Sequence, residues 1–139
     1  MSTYEENQLA RLSTKVLECL KRQDYHDTKR VLDELMSALK RHKTKNLPKL
    51  LGRLEAVYLN LQSHLYELNQ LLAELSLFSG TDALIFQVEG VMETEKTLLH
   101  KIQILRTAFA SRDVSVLRAD LDFVTKELED ILWEVEHEH

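Results

Sequence analysis

Two side chains capable of acid–base chemistry stand where a hydrophobic residue is expected. His64 falls midway between Val57 and Leu71 in a seven-residue apolar repeat, and Glu95 falls midway between Val88 and Ile102 in another. A histidine in such a seam suits a metal ligand or a pH switch, because its imidazole binds metals and titrates near neutrality. A carboxylate at the matching place suits a simpler role, a buried polar pair that fixes how two helices register. Counted from the turn near residue 80, His64 lies 16 residues back and Glu95 15 residues forward. A tight hairpin therefore sets His64 and Glu95 at one height, as a structural pair in the core.

Other chemistries find little footing. The one cysteine, Cys19, lies on an apolar helical face and reads as a small buried hydrophobe. One cysteine also excludes an internal disulfide or a thiolate zinc site. The three glycines at 52, 80 and 90 are too scattered to build a phosphate-binding loop, and no Gly-x-Ser-x-Gly elbow occurs. Glu134 and His137 have the Glu-x-x-His spacing of a bundle metal site, but a second pair is missing and this one sits at the chain end. No catalytic residue, cofactor or metal is expected, and the chain reads as a non-enzyme.

Charge is unevenly spread. The net charge of −5 divides into +5 over residues 1–53, −7 over 54–95 and −3 over 96–139. Residues 54–95 contain no Lys or Arg, which suggests a segment with little surface to solubilise. Lys40, Arg41, Lys43, Lys45, Lys49 and Arg53 form a basic cluster with no acid among them. Such a cluster could contact an anionic partner. No aromatic side chain is interleaved to stack on bases, so nucleic acid is an unfavoured partner.

Some apolar side chains lie off the main seams. Val116, Phe123 and Trp133 do so near the C-terminus, and Leu59 and Tyr66 do so in the middle of the chain. Left uncovered, they would mark a partner surface. Otherwise another helix or a second copy of the chain covers them.

The elements that must position these residues are helices. Only 3 Gly and 1 Pro occur in 139 residues, too few for the turns of a sheet-rich fold. Apolar residues recur at three- and four-residue steps. They predict helices at about 4–22, 25–43, 47–78, 81–110 and 114–136. Asp24, Asn46 and Asp113 are the expected caps, and Pro48 suits a first turn. The third helix has so broad an apolar surface that neighbours are expected on several sides. Residues 83–90 read as helix, with a short strand as the alternative. The last helix carries Val114, Leu117, Leu121, Val124, Leu128, Ile131 and Val135 at coiled-coil spacing. Helix–turn–helix patterns around Asp24 and Asp113 also align, as amphipathic hairpins commonly do. The short connections predict one all-α domain over 1–139, an antiparallel up-and-down bundle of four to five helices with long third and fourth helices.

The function expected from this pattern is protein–protein interaction. An adaptor or scaffold subunit would bind helical partners, or a second copy, through spare apolar faces. The segment from Glu93 to Glu136, two long helices joined by a short Arg-Asp turn, loosely resembles flagellar-export chaperones over about a third of the chain. That resemblance implies a secretion-type chaperone holding an amphipathic client helix. A nucleic-acid-associated subunit using the 40–53 cluster is the other alternative. With no secretory signal, one cysteine and no apolar run long enough to span a bilayer, an intracellular, cytoplasmic location is expected, with the nucleus as the alternative.

Overall fold

The computed structural model describes residues 3–22, 25–41, 45–111 and 114–137, without the side chains of 114–117, 131 and 134–136. Five helical pieces follow in order: α1 (Thr3–Arg22), α2 (Tyr25–Lys40), α3 (Leu47–Leu75), α4 (Asp82–Ser111) and α5 (Val114–His137). Residues 83–90 are helical. α1 and α2 lie end to end along α3, so the five pieces make four helices of an all-α bundle. The order of ion pairs shows the antiparallel run: Arg11 meets Glu74, Arg22 meets Glu67, and Glu34 meets Arg53. α3 and α4 form a long hairpin, and α5 returns along α4 to close on α2.

The interior is two apolar clusters rather than one. The larger lies among α2, α3, α4 and α5, around Leu32, Leu35, Leu61, Ile102, Leu105, Leu121 and Leu128. The smaller joins Leu12, Val16, Cys19 and Leu20 of α1 to Leu68, Leu71 and Leu75 of α3 and to Val88, Val91 and Met92 of α4. α3 and α4 thus cross both clusters, while α1 serves only the smaller one.

Helix ends differ from the periodicity at two points. α2 stops at Lys40, short of residue 43, and α3 stops at Leu75 instead of residue 78. At the second point the chain satisfies its last carbonyls locally. The Leu77 and Phe78 N–H groups donate to the carbonyls of Glu74 and Leu75, tightening the final turn. Gly80 then adopts φ 79°, a left-handed conformation that glycine takes without strain. The buried Thr81 hydroxyl lies 2.8 Å from the Leu75 carbonyl and 3.0 Å from that of Phe78. This turn sets the height at which α3 and α4 face each other.

One expectation needs correction. Asn46 stands at the N-cap of α3 but makes no side-chain cap bond; its carbonyl accepts from Leu50 N–H in the first helical turn. The third helix has the expected neighbours on several sides, α1, α2 and α4, and keeps one outer face open. The expected caps Asp24 and Asp113 lie outside the described residues.

Candidate functional site

The hairpin brings His64 and Glu95 together between the two apolar clusters. His64 Nδ1 lies 2.8 Å from each carboxylate oxygen of Glu95. His64 Nε2 lies 2.7 Å from the backbone carbonyl of Cys19. That carbonyl is among the last four of α1, which lack partners inside their own helix. Tyr25, the first residue of α2, donates its hydroxyl to Glu95 and sets its ring edge-on to His64. The layer therefore ties α1, α2, α3 and α4 at one height.

Its protonation follows from geometry. Both ring nitrogens of His64 face acceptors, so the imidazolium, with two N–H donors, satisfies every partner. Burial opposes that charge, but the contacts with Cys19 and with the Glu95 carboxylate outweigh it and push the His64 pKa up to about 10. Burial and the neighbouring Glu95 charge raise the Tyr25 phenol well above its ordinary value. All three side chains are closed to solvent, so the layer presents no atom to a substrate. No group of three or more His, Cys, Asp or Glu with metal-binding geometry occurs among the described residues. The Cys19 side chain is buried, with Sγ 3.9 Å from His64 Nε2. His137 bonds the Trp133 carbonyl through Nδ1, and the side chain of Glu134 is not described.

The basic cluster flanks a groove between α2 and α3. Arg53 is ion-paired with Glu34 and lies 3.9 Å from Asp27. Lys40, Arg41, Lys45 and Lys49 are exposed, and Lys43 lies outside the described residues. The apolar side chains of α5 are dispersed. Phe123 is 37% exposed with the Lys101 ammonium 5.0 Å above its ring. Trp133 is 62% exposed and stacks on His137 at 4.5 Å. The side chain of Val116 lies outside the described residues.

A more continuous surface runs along α3. Leu59 and Tyr66 are 56% and 67% exposed, and Leu77, just past the helix end, is 81% exposed. Leu59, Tyr66 and Ala73 fall within about 40° of one another at 100° per residue. They span about 21 Å of helix at 1.5 Å per residue. Every exposed residue from Gly52 to Leu77 is uncharged; Ala56, Asn60, Ser63, Gln70 and Ala73 fill the spaces between the large side chains. The charged residues of this stretch sit at the flanks, half-buried and paired. Arg53 holds Glu34, Arg106 holds Glu55 and covers the Tyr58 ring at 4.2 Å, Arg22 holds Glu67, and Arg11 and Lys15 hold Glu74. The Lys15 hydrogen bond, partly opposed by desolvation, keeps the Glu74 carboxyl below its ordinary range. Beside the stripe, a shallow groove between α1 and α3 is lined by Lys15, Arg22, Tyr66, Gln70, Ala73 and Leu77.

Leu59 and Tyr66 stood out in the sequence only as apolar residues off the seam. The cation-free run over 54–95 was the further signal. Its α3 part reflects an exposed but uncharged face rather than a lack of surface, and its α4 part exposes Asp82, Glu89 and Glu93. Comparison with known proteins finds no matching family model, no matching curated protein and no matching solved structure.

Proposed function

We propose that this protein is a non-enzymatic interaction module, an adaptor or scaffold subunit, whose docking face is the outer side of α3. The observation that carries this reading is the uncharged stripe through Leu59, Tyr66 and Leu77 on a chain that is 29% charged. Interface centres are depleted of charge and enriched in aromatic residues, and Tyr66 lies at the middle of the stripe. Small neighbours such as Ala56, Ser63 and Ala73 let a partner helix approach closely, while the flanking ion pairs leave few charges to desolvate. The partner is therefore an amphipathic helix laid along α3.

The test is capture of partners by the tagged chain from its native lysate with nuclease present. The bound protein is expected to disappear with Tyr66→Glu and to persist with Phe123→Asp/Trp133→Asp. Loss with the second variant alone moves the docking face to α5. Recovery of nuclease-sensitive material alone replaces the reading with nucleic-acid association through Lys40, Arg41, Lys45 and Lys49.

A further inference from the structure

We infer that the groove between the end of α2 and the start of α3 binds an acidic peptide segment, with an apolar side chain on its floor and carboxylates on its rim. This site is separate from the stripe through Leu59 and Tyr66. Leu50, which lines the groove, lies about 180° from Leu59 around α3 at 100° per residue.

The lining is apolar below and cationic above. Leu50 is buried and Ala38 half-buried, while Arg41 and Lys49 are exposed, one on each side of the groove. Exposed Lys45 stands just before α3. Lys29, Arg30 and Arg53 of the same two helices are occupied by Glu129, Asp27 and Glu34. Arg41, Lys45 and Lys49 hold no carboxylate among the described residues. Asn46 also lines the groove, and its side chain makes no cap bond, so its amide can donate to a ligand.

Peptide carboxylates suit this lining better than phosphates. Glu34 keeps its charge in the same wall, and a phosphate ester with nearly two negative charges would be repelled by it. Among the described residues no aromatic ring lines the groove to stack on a base. Its volume of about 400 Å³ accommodates a few side chains. An apolar residue flanked by acidic ones uses both parts of the lining, covering Ala38 and Leu50 while its neighbours reach Arg41 and Lys49.

The experiment titrates the isotope-labelled full chain with the blocked peptide Glu-Glu-Leu-Glu-Glu and follows amide chemical shifts. Saturable shifts are expected at Ser37, Ala38, Asn46 and Leu50, with affinity falling as salt is added. Arg41→Gln/Lys49→Gln, exposed changes that leave the helical circular dichroism intact, is expected to weaken binding roughly tenfold. Replacing the peptide leucine with serine should weaken it too, because the apolar floor then has no occupant. Tyr66→Glu should leave it unchanged, so this site and the α3 docking face can fail separately. Shifts that do not saturate overturn the inference, as do equal affinities for the double Gln variant or for the serine peptide. Inorganic pyrophosphate or a thymidine oligonucleotide saturating the same amides more tightly than the peptide also overturns it, and makes the groove a phosphate site.

Discussion

Removing the imidazole of His64 would strand the Glu95 carboxylate in the core, and breaking a buried pair from one side costs about 3–5 kcal/mol. His64→Leu should therefore lower the free energy of urea unfolding by that order. Adding Glu95→Leu should recover much of the loss, because an apolar pair needs no partner. The same contacts set a pH dependence. The folded pKa of about 10 lies above the ordinary 6.5, so the contribution of His64 is complete below about pH 6.5 and disappears as the pH rises toward 10. Wild type should lose stability across that window relative to the double Leu variant, and matching pH profiles would show that the pair is not ionised as described. The pairing was legible in the sequence because both residues interrupt apolar repeats and sit 16 and 15 residues from one turn. Tyr25 was not, since it stands three residues before Thr28 at the head of the α2 stripe and reads there as one more core residue. Nor was the Cys19 carbonyl, because a backbone acceptor has no signature in the sequence.

Among the elements, the α3–α4 turn carries the register. Thr81→Val removes the hydroxyl contact with the Leu75 and Phe78 carbonyls. It should cost about 1–3 kcal/mol if those buried groups find no other donor. An unchanged thermal midpoint would show that water or the helix itself replaces it. Heptad spacing predicted the helices, and the local chemistry of the turn moved the end of α3. Periodicity marks which residues belong to a buried stripe, yet it says little about how far a helix continues once its carbonyls find other partners. The outer face of α3 was hidden for a related reason. An off-seam Leu or Tyr looks the same whether a neighbour covers it or not, and only the packing of α1, α2 and α4 shows that none does.

At the scale of the molecule, the polar layer separates two cores of unequal size, and α1 belongs to the smaller one. Leu12→Ala should cost about 2–5 kcal/mol locally. Native-state hydrogen exchange should show this first as faster exchange in α1, with the slowest amides of α2 and α5 less affected. Equal acceleration everywhere would mean that the two cores melt as one unit. The choice of optical probe matters for such measurements. Trp133 is the only tryptophan and lies on the solvent-facing side of α5, stacked on His137. An indole already in contact with water changes its emission little when the chain unfolds. A denaturation curve read from its fluorescence would follow one end of one helix and pass over the melting of both cores.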